Sequence, residues 1–167
     1  MRNPASVLPT LILAFFLVGC SSVDKSRLIE RTVPVAVTVI TDDAFVAGTI
    51  SPDASRGFGK NISKQLTSGL EDRGITCESN TVSQGKMATV KVDLTGLQGE
   101  SVFDAGPFGA STKQVFKVTY TATLISPDGR QLFRIDGRES SRVLGELPAE
   151  IGRYVAKRVA KHYQAAR

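Results

Sequence analysis

The chain has 167 residues, with 21 basic and 16 acidic side chains and a formal net charge of +5. This length suits one domain with a proper core, and the charge excess is far smaller than the basic stripe of a nucleic-acid-binding protein. We therefore expect no nucleic-acid partner. One histidine and two cysteines are too few for a zinc site or a histidine-based catalytic triad, so we expect no metal, no cofactor and no catalytic residues.

The first twenty residues have the layout of a secretory signal. An apolar run over residues 7–18 follows the basic Arg2 and ends in the sequence LVGC, and this run is too short to span a bilayer. A small residue before a cysteine is typical of a bacterial lipobox, so we expect residues 1–19 to be removed and Cys20 to carry covalent lipid. Two alternatives remain, an ordinary cleaved signal with an incidental cysteine and an uncleaved anchor.

The residues after the cysteine predict where the protein is anchored. A multi-chain lipid anchor is effectively permanent, and Ser21 stands where an aspartate would favour the inner membrane in the enterobacterial sorting pattern. We therefore expect an outer-membrane anchor and a domain that faces the periplasm. Residues 20–32 are polar and lack periodicity, which indicates a tether of at most roughly 40 Å at about 3.3 Å per residue. Residues 33–167 then form a single domain.

The first core elements are a strand and a helix. Residues 33–40 are largely apolar and β-branched on both faces, which is typical of a buried strand. Residues 41–56 are rich in small and polar side chains and predict a connection or a binding loop. Ser55 is a plausible N-cap and Gly74 lies at the C′ position of the helix that follows. Its apolar side chains recur every four residues, at Phe58, Ile62, Leu66 and Leu70.

Period-two patterns then predict four strands. A short strand over residues 75–79 contains Cys77, which we interpret as a small buried residue, with a redox or intermolecular role as the alternative. Alternation of apolar and polar residues predicts long strands over 87–97 and 115–125. The sequence Ser-Pro-Asp-Gly that follows is a strong turn, and it predicts a hairpin to a strand over residues 130–139.

The chain closes with a second amphipathic pattern, which predicts a helix over residues 148–166. Its basic side chains suit the negative end of the helix dipole. The alternative is a basic face that contacts lipid headgroups, a glycolipid or an acidic partner. The basic residues in question are Arg153, Lys157, Arg158 and Lys161.

Together the elements predict an α+β fold. Two helices with one apolar stripe each and a sheet with one apolar face pack as two layers. We therefore expect a two-layer sandwich, with one mostly antiparallel sheet of about four to five strands and both helices packed on one of its faces.

The element order resembles that of several small envelope lipoproteins. The resemblance combines the lipobox, the helix that ends in Arg73-Gly74-Ile75, the hairpin over Pro127-Asp128-Gly129-Arg130 and the terminal helix. These families include YajG-type lipoproteins, the lipopolysaccharide-assembly lipoprotein of the outer-membrane translocon and auxiliary lipoproteins of lipid-transport systems. The match is one of topology over residues 33–166. The sequence Ser-Ser-Val after the cysteine departs from the lipopolysaccharide-assembly family, which continues with a glycine, an aromatic residue and a nearby leucine.

One segment between the two long strands is a candidate contact site. Residues 103–110 are rich in glycine and proline, which predicts a loop, yet they include two phenylalanines in a chain without tryptophan. Exposed aromatic side chains tend to mark interfaces, so Phe103, Pro107 and Phe108 are candidate partner contacts. The alternative is that both rings fold back onto the edge of the sheet.

These observations support three hypotheses of function. The first is a non-catalytic outer-membrane lipoprotein that binds an envelope protein or a glycolipid, because every strong feature of the sequence is structural or anchoring. The second is an accessory subunit of a secretion, pilus, flagellar or lipid-transport machine, which implies a defined oligomer. The third is a periplasmic hydrolase that acts on cell-wall or lipid material with serine or aspartate side chains from residues 41–56, although no nucleophile motif is recognisable there.

Overall fold

The computed structural model of the chain describes residues 28–42, 45, 52–78, 86–106 and 109–164. The signal segment, Cys20, Pro107 and Phe108 lie outside these ranges. The elements are strands β1 (Val35–Thr41), β2 (Cys77–Glu78), β3 (Ala88–Gly106), β4 (Gly109–Ile125) and β5 (Gln131–Ser141), helices α1 (Pro52–Glu71) and α2 (Leu147–Ala160), and a 3-10 turn at Leu144–Glu146.

The strands form one five-stranded sheet in the order β2-β1-β3-β4-β5. Strand β1 runs parallel to β2 and β3, because the connection through α1 returns the chain in the same direction. The long strands β3 and β4 pair antiparallel, as do β4 and β5, and this pairing covers most of the sheet. Both helices pack on one face, so the predicted α+β two-layer sandwich is confirmed.

The core lies between the helices and one face of the sheet. The predicted helical stripe is buried, as are the inward side chains of the central strands and of α2. These residues include Ile62, Leu66, Leu70, Val90, Val92, Leu94, Tyr120, Leu124, Ile151 and Val155. The opposite sheet face is polar, with ion pairs such as Lys91 to Asp93 at 2.9 Å and a hydrogen bond from Thr121 to Asp136 of 2.7 Å.

The ends of the two helices differ in part from the prediction. Helix α1 begins at Pro52, so Ser55 lies inside it, where its hydroxyl is buried and has no hydrogen-bond partner among the described residues. Gly74 has φ +69°, which confirms its predicted place after the helix. Helix α2 ends at Ala160, earlier than the stripe predicts, and Tyr163 instead forms a β-bridge with Ile29.

This bridge draws part of the predicted tether into the domain. The Ile29 N–H donates to the carbonyl of His162 (2.8 Å), and the N–H of Gln164 donates to the carbonyl of Ile29 (2.9 Å). Ile29 itself is buried. Residues 28–32 are therefore part of the packed structure, and a tether from residues 20–27 would reach about 26 Å when extended.

Candidate functional site

Strands β3 and β4 extend beyond the rest of the sheet. The pairing of β1 with β3 ends where Thr41 meets Leu94, and the pairing of β5 with β4 ends where Ser141 meets Phe116. From Glu100 of β3 and Val115 of β4 onwards, the two long strands pair only with each other in the described part of the chain. We call this two-stranded extension, residues 100–106 and 109–115, the arm.

The arm corrects the prediction of a loop over residues 103–110. Phe103 lies in strand β3 and pairs with Thr112 of β4, so it belongs to a hairpin rather than to a loop. Glycine and alanine lower the strand propensity of this segment, but the ladder of antiparallel hydrogen bonds outweighs that local preference. Pro107 and Phe108, which the sequence also predicts as contacts, lie outside the described residues.

Apolar side chains of the arm are exposed. Phe103 is 69% exposed and Val102 is 44% exposed, so the ring of Phe103 is not folded back onto the sheet. Because successive side chains of a strand point to opposite faces, the arm is apolar on both of its faces here. A two-stranded ribbon is marginally stable by itself in water, and exposed apolar side chains on such a ribbon are typical of a contact surface.

An ion pair and a bulge mark the base of the arm. Lys117 of β4 donates a hydrogen bond to Glu100 of β3, and this contact lowers the pKa of the Glu100 carboxyl. The strand register shifts by one residue between Leu94 and Gly96. Such bulges increase the local twist and bend the strand, so we expect β3 to change direction a few residues before the arm begins.

An open cavity of about 400 Å³ lies beside this bulge. Its lining combines carboxylates, threonine hydroxyls and apolar side chains, which offers hydrogen-bonding groups to a polar ligand. The lining residues are Ile40, Thr41, Asp42, Asp93, Leu94 and Thr95. Within the described ranges, no group of three or more histidine, cysteine, aspartate or glutamate side chains could hold a metal ion.

The predicted basic residues of the last helix are all exposed. Two of them make local contacts. Arg158 lies over the ring of Tyr154 at 5.5 Å and donates from Nε to the Tyr154 hydroxyl at 3.2 Å, while Arg153 donates to the carbonyl of Ala149. The others, Lys157 and Lys161, also face solvent.

The single histidine and the free cysteine take part in packing. Cys77 is half-buried in β2, and burial, with a smaller contribution from Glu71, raises the pKa of its thiol to about 11. The thiol is therefore protonated at neutral pH. His162 stacks on Phe133 with ring centroids 5.1 Å apart, and burial lowers the pKa of its imidazole.

Comparisons with known proteins show the fold. No family model matches the chain, and a search of curated proteins gives no significant match. The PelC dodecamer from Paraburkholderia phytofirmans matches with a TM-score of 0.51 and 17% identity over 81% of this chain and 91% of that chain. A single-residue variant of PelC from the same organism matches with a TM-score of 0.52 and 17% identity over 82% and 93%.

Other matched structures include bacterial lipoproteins. The lipoprotein GNA1162 from Neisseria meningitidis matches with a TM-score of 0.41 and 16% identity over 77% of this chain and 98% of that chain. That score is too low to support an argument. The comparison therefore rests on the two PelC structures, which share their fold with this chain. None of the helices in the described ranges is long and apolar enough to cross a membrane.

Proposed function

We propose that the chain is an outer-membrane-anchored lipoprotein with a non-catalytic binding or assembly role in the bacterial envelope, and that the arm is its binding element. The observation that carries this proposal is the exposure of Val102 and Phe103 on a ribbon that extends beyond an otherwise packed domain. Burial of one large apolar side chain contributes about 1.5 to 3 kcal/mol. A partner that covers the arm would gain this energy.

Residues 28–32, the described segment that follows the expected anchor in the chain, lie at the end of the sheet opposite the arm. Strand β1 begins at Val35, beside Ala88 at the start of β3, and Ile29 precedes it at the same end. Strand β3 has 19 residues, which span roughly 60 Å at about 3.3 Å per residue. With lipid on Cys20, the arm would extend away from the anchored end of the domain, over the membrane surface, which favours a partner in the periplasm.

The chemistry of the arm favours a protein partner over a glycolipid. The edges of a two-stranded ribbon carry backbone N–H and C=O groups that an extended polypeptide can pair with. Apolar side chains next to such an edge supply pockets and contact area in the same mode of binding. The basic side chains of α2 lie on the helix layer and remain a separate candidate for contact with lipid headgroups or an acidic partner.

The anchor is tested by the variant Cys20→Ala. We expect the variant to lose incorporation of radiolabelled fatty acid and to leave the membrane fraction. Labelling that persists in the variant would contradict the lipobox assignment. Fractionation of outer from inner membranes with the unmodified chain tests the expected location.

The binding element is tested by the double variant Phe103→Ser with Phe108→Ser. We expect its melting temperature to stay close to that of the parent chain, and its crosslinked partners in intact cells, identified by mass spectrometry, to be lost. The matched control is Tyr154→Ser, since Tyr154 is an exposed aromatic residue on α2 and should keep all partners. A destabilised double variant, or a stable one that keeps its partners, would remove the arm as the site.

A second candidate function is that of an accessory subunit in a multi-copy assembly. It is favoured by the fold shared with PelC, which was solved as a dodecamer. Native mass spectrometry of the lipidated protein in detergent tests it. A single defined oligomer would support this candidate, and a monomer at all concentrations would contradict it.

A further inference from the structure

We propose that the β3 edge of the arm pairs with the same edge of a second copy of this chain, as an antiparallel joint centred on Ser101. The inference rests on the proposed role of the arm as the binding element and names its partner. Two arms would then form four adjacent strands, and the two copies would be related by a two-fold axis, which is the commonest symmetry of soluble oligomers.

The alternation of backbone hydrogen bonds along β3 shows which of its N–H and C=O groups could pair with another strand. The N–H of Asp42 donates to the carbonyl of Leu94, so Leu94 faces β1. Residues of an antiparallel strand alternate between the two sides, and the extra residue of the bulge reverses the alternation. Beyond it, Gly99, Ser101 and Phe103 turn their backbone N–H and C=O groups away from β4. No described strand pairs with this side of the arm.

The edge is complementary to itself in shape. With Ser101 opposite Ser101 of the second copy, Phe103 of each copy lies opposite Gly99 of the other, and both positions belong to the set with free backbone groups. Side chains directly opposite each other in antiparallel strands share a face. The exposed ring of Phe103 would therefore cover the glycine, which has no side chain to compete for the space. An aromatic residue across from an edge glycine is a known way to stabilise strand pairs.

The charges of the edge are compatible with the same register. Glu100 would lie opposite Val102 of the second copy, so the two Glu100 carboxylates are diagonal neighbours and not directly opposite each other. Each Glu100 is also paired with Lys117 of its own copy. Since exposed Val102 would gain a neighbour, both exposed apolar side chains of the arm take part in the contact.

The arrangement also leaves room for the two domains. Antiparallel arms point in opposite directions, so the two packed bodies lie at opposite ends of the joint. The strands that flank β3 and β4 in each body end before the arm begins. With the same edges in contact and the arms pointing in the same direction, β1 of one copy would instead meet β1 of the other at the same level.

Site-specific crosslinking tests the register. In the full chain, in its native membrane and with Cys77 replaced by alanine, Ser101→Cys should crosslink to itself, because the two Cα atoms would be about 5.5 Å apart. The control is Gln114→Cys, on the same face of β4 and directly opposite Ser101 within one arm. Its two copies would be three strand spacings apart, about 14 Å, so a bridging reagent shorter than 8 Å should not join them. Equal crosslinking at both positions would overturn the proposal.

Backbone chemistry gives a second, independent test. Ser101→Pro removes an outward N–H and leaves the bonds to β4 intact, since an edge strand tolerates proline. The full lipidated chain in detergent should form dimers, and Ser101→Pro should raise the dimer dissociation constant about tenfold or more in analytical ultracentrifugation, because two symmetric hydrogen bonds are lost. Ser101→Ala keeps the N–H and should change the dissociation constant less than threefold. Equal effects of the two variants would overturn the proposal.

Exchange of the two complementary residues gives the third test. Phe103→Gly alone should weaken the dimer several-fold, and adding Gly99→Phe in the same chain should restore it, because a ring again faces a glycine. Failure to restore would contradict the register. The dissociation constants of the purified chain do not depend on the capture of other proteins in cells, so the joint and the proposed envelope role can fail separately.

Discussion

Gly152 of α2 lies directly against the backbone of Leu66 in α1. A Cβ atom at Gly152 would be 2.9 Å from the backbone nitrogen of Leu66, and one turn farther along, a Cβ atom at Gly69 would be 2.9 Å from the Cβ of Ala156. The two helices therefore run parallel and touch through small residues. This close approach lets both helices reach the same face of the sheet.

The close contact between α1 and α2 predicts that Gly152→Ala is destabilising, although alanine favours helices. We expect a loss of about 1 to 3 kcal/mol in the free energy of unfolding, because the added methyl group meets backbone that cannot move aside easily. The matched control is Gly57→Ala, where no atom lies within 4 Å of the added Cβ, and there we expect a gain of about 0.5 to 1 kcal/mol. Urea denaturation of the chain without residues 1–19 measures both. A gain at Gly152 would show that the helices are farther apart.

The buried and exposed faces of α1 predict different effects of substitutions on the free energy of unfolding. Leu66 is fully buried, so Leu66→Ala should lower the free energy of unfolding by about 2 to 5 kcal/mol. Lys64 is exposed, and Lys64→Ala should stay within about 0.5 kcal/mol of the parent. The same denaturation experiment decides it. Equal losses would mean that the exposed and buried faces are exchanged.

Periodicity predicts the helices and strands of the body because each has one buried face. The four-residue spacing of the α1 stripe and the alternation in β3 and β4 both follow from burial against a single partner layer. The turn at Pro127 and Asp128 is likewise local chemistry, and the structure places a hydrogen-bonded turn there, with Gly129 at φ +82°. Such features depend on near neighbours in the sequence, so they can be predicted from it.

The arm and the Ile29 bridge depend on distant pairings. Phe103 belongs to a strand because Thr112 lies beside it, and the glycines between them give no local signal for a long ribbon. Ile29 and Leu28 stand among polar and charged residues in the sequence, and the bridge partner of Ile29, Tyr163, lies more than a hundred residues later. Ser55 has the residue type of an N-cap, but Pro52 starts the helix earlier.

The helix-facing side of β5 predicts a pH dependence of stability. Glu139 lies opposite the buried Val118. Burial raises the pKa of its carboxyl, and the charge of Glu150 raises it further, while the nearby hydroxyl of Tyr120 opposes the shift. The folded protein therefore binds this proton more readily than the unfolded chain, so ionised Glu139 reduces stability as the pH rises above the ordinary value of 4.5.

Glu139→Gln should remove this loss. We expect the variant to be more stable than the parent at pH 7, and we expect the difference to shrink as the pH is lowered through the raised pKa of Glu139. Thermal melts at a series of pH values measure it, with Glu78→Gln, an exposed position on β2, as the control. A variant less stable than the parent at pH 7 would contradict the assignment.

The bridge between the two ends of the domain carries the last prediction. The guanidinium of Arg31 donates from Nε to the carbonyl of Gln164 at 2.8 Å and also donates to the carbonyl of Arg73. It thus ties the segment before β1 to the residues that follow both helices, next to the buried side chain of Ile29. The pull of a lipid anchor would enter the domain at this point.

Ile29→Ala should loosen this connection without unfolding the centre of the domain. The amide of Gln164, which donates to the carbonyl of Ile29 at 2.9 Å, should exchange its hydrogen at least about tenfold faster, because local opening at a chain end costs less than global unfolding. The amide of Leu66 in the middle of α1 should change less, and Thr32→Ala, at an exposed neighbouring position, should leave both rates unchanged. Hydrogen exchange followed by nuclear magnetic resonance resolves the individual amides. If the exchange rates of the Gln164 and Leu66 amides rise equally in Ile29→Ala, the bridge unfolds together with the rest of the domain. The segment before β1 would then be as much a part of the core as the helices are.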